Sequence, residues 1–257
     1  MPRAASSVSL RQKIRFALDQ LEWRALRIGF GHCPLCDGRV FLRLSRDLLG
    51  TRCLRCEACP ISMAIGTAVA REVPDLAAKS VYEISSRGAV FEFLKQRAGE
   101  LTFSEFFDDV EPGTHRNGIP CQDVQRLTYP DRSFDLCTST EVFEHVSDDR
   151  RGFAELHRVL RPGGLAIFTV PIHDDLARTV ERAVLDGEEP RHLLEPRYHD
   201  DFIRGSKKVL VYRDYSRDIS GRLREAGFAQ AEVVDVPDPA GMGCVAQVVV
   251  AHKGHDS

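Results

Sequence analysis

Residues Asp123 to Pro171 constrain this chain more than any other stretch, because several separately readable signals follow there in one fixed order. An acidic residue at a strand end (Asp123) precedes an apolar strand from Phe134 to Cys137, and an acid-capped helix follows. That helix stops at Arg161-Pro162-Gly163-Gly164, and the wholly apolar strand Leu165 to Val170 begins at once. Strand, helix, stop and strand make a βαβ unit. Its parallel strands are covered on both faces and therefore lack polar alternation. The expectation is an α/β fold.

Composition sets the scale. With 257 residues, 43% hydrophobic and 28% charged, the chain can bury one α/β core plus a small appendage. A net charge of −3 argues against a binder of phosphate backbones, so nucleic acid is not an expected partner. No run approaches eighteen apolar residues, and the first residues lack the apolar core of a secretory signal. Neither a membrane partner nor export is expected, and a cytoplasmic location follows as the default.

The wording of the central stretch carries a family likeness. Asp123, Leu127, Tyr129, Asp131, Ser133 to Asp135, Glu144 to Val146 and Arg158 to Gly164 spell D-x-x-x-L-x-Y-x-D-x-S-F-D, E-H-V and R-V-L-R-P-G-G. In order and spacing this resembles the class I S-adenosylmethionine (SAM)-dependent methyltransferases of the type 11 branch, over roughly residues 80 to 236. The resemblance implies a Rossmann-like sheet of seven strands, mostly parallel with the last antiparallel, and SAM as cofactor. The ending, Leu-Arg-Glu-Ala-Gly-Phe at 223–228 followed by two apolar strands, fits that implication.

Its implied site residues fall along the carboxyl edge of the sheet. Glu83 would accept from the methionine ammonium group, Glu105 would meet the ribose hydroxyls, with Asp108 and Asp109 as competing candidates for that role, Asp123 would accept from the adenine amino group, and Val124 would face the ring. Thr140 and Glu141 would lie by the departing methyl. The cofactor loop after the first strand departs from the family's glycine-rich form: Gly88 remains, and Ser85 and Ser86 stand where glycines are usual. Some relatives with a zinc ribbon carry a similar E-x-S-S loop, so Ser85, Ser86 and Gly88 are expected to bind the carboxylate end of SAM.

Five of the eight cysteines crowd into Cys33, Cys36, Cys53, Cys56 and Cys59. A C-x-x-C turn directs two sulfurs at one tetrahedral metal, and two such turns make a closed structural zinc site with no position left for substrate. Cys33/Cys36 is one turn, while Cys53/Cys56 and Cys56/Cys59 both have acceptable spacing for the other. The likeness to ribbon-bearing relatives favours Cys33, Cys36, Cys56 and Cys59. The intervening residues 38–49 would supply a short hairpin, with Val40, Leu42 and Leu44 alternating on one face. Cys121, Cys137 and Cys244 read as core residues.

The expected organisation is an amphipathic helix in 1–29, a zinc ribbon over 30–62, a bridging helix over 63–79, and a methyltransferase domain over 80–257 with a polar insertion at about 173–208. The first helix has an apolar stripe that either the protein's own body or a second subunit, as a homodimer, would cover. The insertion, rich in His, Arg and Asp, should fold over the site and select the acceptor. His145, in E-H-V, and His173, after the fifth strand, are the candidate proton-handling residues. The implied reaction is methyl transfer from SAM to an oxygen or nitrogen of an acceptor, taken to be a small molecule. The alternative is a ribbon-bearing binding module or pseudo-methyltransferase whose altered loop no longer serves SAM.

Overall fold

The structure is a computed structural model that describes residues 21–187, 189–201 and 207–255. The expected first helix lies outside these residues except for 21–23. The chain opens with β1 (Arg27–Phe30), β2 (Val40–Arg43) and β3 (Thr51–Cys53), a small antiparallel sheet. Next come α1 (Pro60–Glu72), β4 (Ser80–Glu83), α2 (Gly88–Arg97) and β5 (Glu100–Phe103). A small pair, β6 (His115–Arg116) and β7 (Ile119–Pro120), leads to β8 (Phe134–Thr140), α3 (Asp149–Val159) and β9 (Leu160–Thr169).

The insertion forms short antiparallel pairs. In chain order it contains β10 (Val180–Glu181), β11 (Ala183–Asp186), β12 (Glu189–His192), β13 (Tyr198–Asp201), β14 (Lys207–Leu210) and β15 (Arg213–Asp214). β10 pairs with β15, β11 with β12, and β13 with β14. The chain then returns through α4 (Ile219–Glu225), β16 (Gln230–Pro237) and β17 (Val245–His252). Among the described residues no helix is long and apolar enough to cross a membrane.

The main sheet has six strands in the order β16-β17-β9-β8-β4-β5. β5, β4, β8 and β9 run parallel, and β17 lies antiparallel between β9 and β16, as expected for the last strand. A seventh strand was expected at 118–123 and does not form. Its place beside β5 is held by a single parallel bridge, Glu105 to Cys121, with Glu105 N donating to Pro120 O and Gln122 N to Glu105 O. Pro120 can donate nothing to a ladder, which limits pairing at this position.

Successive strand residues face opposite sides, so the apolar runs fill two cores. Val81, Leu136, Ile167, Val248 and Val250 join α1, α2 and the small sheet on one face. Tyr82, Cys137, Phe168 and Val249 join α3 and α4 on the other. The Pro162-Gly163-Gly164 stop falls inside β9 rather than before it, since β9 already begins at Leu160 and pairs there with Phe134 before a register shift.

The cysteine-bearing sheet shares the first core instead of standing apart. Its fully enclosed hairpin residue is Phe41, while Val40 and Leu42, on the opposite face, are half-buried. Leu35 packs where Gly66 of α1 has no side chain: a Cβ there would stand 2.5 Å from Leu35 Cδ2. Arg43 closes the other side, donating to the Met242 carbonyl at 2.5 Å. Pro60 opens α1 at a position where its missing N–H costs nothing.

Candidate functional site

A cavity of about 710 Å³ lies at the carboxyl ends of β4 and β8. This is the edge at which open parallel sheets bind ligands. Of the expected cofactor residues, Glu83, Ser85, Gly88, Glu105, Asp123, Val124, Thr140 and Glu141 line it. Ser86 stands behind, its backbone N and its hydroxyl both donating to Glu105 Oε1 at 2.7 Å. The degenerate loop is thus pinned by the second-strand carboxylate. Gly88, which opens α2, has φ +93°, a conformation that favours glycine, and nothing stands within 4 Å of where a Cβ would point. Asp123 Oδ1 accepts from Gln125 N at 2.9 Å and caps the turn that follows.

Two carboxyl groups at this edge, Glu83 and Glu144, are buried, and a third, Glu141, is partly buried. Glu83, 1% exposed, is pushed up to about 8 by loss of water, a rise opposed by the hydroxyl of Thr138 and increased by the charge of Glu105. Burial likewise raises Glu141 to about 7. Glu144 rises well above the ordinary carboxylate range, by burial first and by the Glu141 charge second. Glu141 also adopts φ +53°, uncommon for a residue with a side chain, and its N–H is held by Thr169 O at 3.0 Å.

The insertion closes over this cavity through Leu185, His199, Lys208, Val209, Leu210 and Tyr212. It continues past the expected end at 208, to β15. His145 Nδ1 lies 2.8 Å from the Leu210 carbonyl, to which it can only donate, and His145 Nε2 lies 3.2 Å from His199 Nδ1. His173 is not brought to this place. It does not line the cavity, and its Nε2 is 3.8 Å from Asp214 Oδ1, whose carboxylate is engaged by Arg182 and Arg197. The approach of His199 to His145 had no local signal, since 54 residues separate them and the insertion is polar throughout. The partnerless burial of Glu144 was equally hidden.

The cysteine cluster also differs from expectation. Cys33, Cys36, Cys53 and Cys56 place their sulfurs within 4.8 Å of one another, and Cys59 is not part of the group. Two equivalent turns explain this. Asp37 N donates to Cys33 O and Cys33 N to Gly38 O; Glu57 N donates to Cys53 O and Cys53 N to Ala58 O. Asp37 and Glu57 adopt φ +61° and +62° at the matching position. Cys59 instead occupies the N-terminal cap position of α1, its Sγ 3.7 Å from Ser62 Oγ. Sulfur separations of 3.7 Å (Cys33–Cys56) and 3.6 Å (Cys36–Cys53) suit a tetrahedron with metal–sulfur bonds of about 2.3 Å.

Residues 63–168 match the family model described as "Methyltransferase domain", a segment that includes the cavity floor and excludes the cysteine sheet and the insertion. That match covers less than half of the chain and marks a segment similar to methyltransferase domains. Relatives include an uncharacterized 37.1 kDa protein in a transposon of Streptomyces fradiae, 27% identical over 44% of this chain and 30% of that protein. A sarcosine/dimethylglycine N-methyltransferase of Halorhodospira halochloris is 31% identical over 38% of this chain and 37% of that protein. The chain therefore spans less than two fifths of the length of either relative. Among solved structures, an S-adenosylmethionine-dependent methyltransferase from Mesorhizobium loti aligns with 74% of this chain and 98% of its own, at 18% identity and a TM-score of 0.49.

Proposed function

We propose that this protein transfers a methyl group from SAM to an oxygen or nitrogen of a small-molecule acceptor. The observation that carries the reading is Glu83: a buried carboxylate at a parallel strand end, facing a cavity, with a pKa near 8 that a cationic ligand would restore to the charged form. SAM would supply an electrophilic methyl on its sulfonium. Glu83 would take the ammonium group, the Ser85–Gly88 turn the carboxylate, Glu105 the ribose, and Asp123 with Val124 the adenine. Glu105 would exchange its bonds to Ser86 for the ribose hydroxyls.

Thr140 and Glu141 would flank the transfer position, with His145 lining the same cavity. Much of the rate would come from holding donor and acceptor in line in a cavity closed by the insertion. The sarcosine/dimethylglycine relative is the parallel for a small nitrogen acceptor. Cys33, Cys36, Cys53 and Cys56 would hold one structural zinc, a role consistent with four thiolates and no open ligand position.

Calorimetry with SAM and S-adenosylhomocysteine tests the proposal. Binding of both, weakened about tenfold or more by Glu83→Gln and by Asp123→Ala, is expected from the loss of a charge-assisted hydrogen bond. Absence of binding to the zinc-replete wild type would overturn it and leave the binding-module alternative.

A further inference from the structure

Beside the methyl-transfer position lies an arrangement that methyl transfer alone does not require. His145 Nε2 is 3.6 Å from Glu144 Oε1, His199 Nδ1 is 3.8 Å from the same oxygen, and the two ring nitrogens are 3.2 Å apart. A point equidistant from three atoms so spaced lies about 2.1 Å from each, the length of bonds from first-row cations to imidazole nitrogen and carboxylate oxygen (about 2.0–2.2 Å). Glu144 is 1% exposed, and neither of its oxygens has a hydrogen-bond partner among the described residues. A buried carboxylate left so is costly, and a bound cation would relieve that cost.

The surroundings orient these atoms. His145 Nδ1 donates to the Leu210 carbonyl, so in the neutral ring the lone pair sits on Nε2 and points at Glu144 and His199. Arg213 clamps the preceding turn by donating to Phe143 O and Val146 O, and Tyr212 N donates to Glu144 O. The backbone on both sides of the carboxylate is thereby held. His145 and His199 line the cavity, which leaves the remaining coordination positions open toward a bound acceptor.

We propose that Glu144, His145 and His199 form a binding site for a divalent first-row cation, open toward the acceptor. Two imidazoles and one carboxylate suit Mn²⁺, Fe²⁺ or Zn²⁺ and leave positions for an oxygen of the acceptor, in contrast to the closed thiolate cluster. The lid supplies His199 while the sheet edge supplies Glu144 and His145, so the cation also staples the insertion shut. The acceptor-facing role rests on the methyltransferase reading; the cation site itself does not.

The test is Mn²⁺ titration of full-length, zinc-replete protein, followed by electron paramagnetic resonance. Mn²⁺ prefers oxygen and nitrogen to thiolate, so the cysteine cluster does not interfere. One bound Mn²⁺ per chain is expected, with affinity falling at least about tenfold in His199→Ala and in Glu144→Gln, since even groups that merely orient a ligand contribute about 10–100-fold. His173→Ala should leave it unchanged. His199 is partly exposed on a hairpin, so its removal should not compromise folding, and thermal melts verify this. No Mn²⁺ binding by wild type, or binding indifferent to both substitutions, would overturn the proposal. S-adenosylhomocysteine calorimetry on the same samples separates the readings: Mn²⁺ without nucleoside binding removes the methyltransferase and keeps the cation site, and the reverse removes the cation site alone.

Discussion

Thr138 donates a hydrogen bond from its hydroxyl to Glu83 Oε2 across neighbouring parallel strands, where the two residues stand directly opposite in register. The contact lets a carboxyl group enclosed at the end of β4 retain part of its acidity. It ties the carboxyl group at the end of β4 to β8, the strand that ends at Thr140. Glu83→Gln should weaken SAM binding about tenfold or more by calorimetry, and Thr138→Val should weaken it less, while raising the pH at which Glu83 ionises.

The same burial predicts a pH profile for the cofactor. Free Glu83 titrates near 8, so at lower pH a cationic ligand must first displace its proton. SAM affinity should rise by up to about tenfold per pH unit toward pH 8 and then level off. Calorimetry from pH 6 to 9 in two buffers of different ionisation enthalpy would show proton release below pH 8. A flat profile would mean that Glu83 does not meet the ammonium group.

Stability of the ligand-free protein should run the other way. Glu83 and Glu141 hold their protons to about 8 and about 7 when folded, above their ordinary carboxylate range, so the folded state binds more protons than the unfolded state in between. Unfolding free energy contributed by these groups therefore falls as pH rises from about 4.5 to about 8. Denaturant melts at pH 6 and pH 8 should show the loss, and saturating SAM should reduce it.

Much of this site was legible in the sequence because its parts are local. Asp135 of the S-F-D triplet accepts from Ser80 N and from Arg161, joining β4, β8 and the start of β9. Arg158 of R-V-L binds the carbonyls of Leu127 and Tyr129 and the Asp131 carboxylate, which fixes the segment carrying Asp123. Those contacts span 26 to 55 positions, but both motifs sit on regular strands and a helix whose repeat fixes where their side chains lie. The His145–His199 approach depends on how an irregular polar insertion folds back, and no periodicity announces that. The second Cys-x-x-C turn was ambiguous because two spacings satisfy the same rule; the positive φ at Glu57, which matches Asp37, makes Cys53/Cys56 the turn equivalent to Cys33/Cys36.

Zinc content provides a direct check of that decision. Cys53→Ser should lose the metal, whereas Cys59→Ser should keep one zinc per chain by elemental analysis. Gly38→Ala should also loosen the site, since a Cβ there would stand 2.8 Å from Cys53 Sγ and 3.1 Å from Cys36 Sγ. Because Phe41 and Leu35 share a core with Met63 and Ile65, chelation should lower the melting temperature of the whole protein instead of releasing an independent ribbon.

Asp149 carries the clearest stability prediction. It is 2% exposed and accepts from Tyr215 Oη at 2.9 Å, Arg222 Nε at 2.9 Å and Arg222 Nη2 at 2.6 Å, with Arg213 Nε 3.8 Å away. Arg213, 3% exposed, spends its other nitrogens on the carbonyls of Phe143, Val146 and Ser147. Asp149→Ala leaves two enclosed guanidinium groups leaning on Glu181 alone, and removal of one partner of a buried ion pair costs about 3–5 kcal/mol. Glu181→Gln, at a half-buried position, should cost less. Because Arg213 also holds the turn that presents His145, Asp149→Ala should weaken Mn²⁺ binding in proportion to any loosening of that turn, whereas Glu181→Gln should leave it near the wild-type value. Denaturant melts and Mn²⁺ titration of the two variants together would distinguish a network that only stabilises from one that also positions the site.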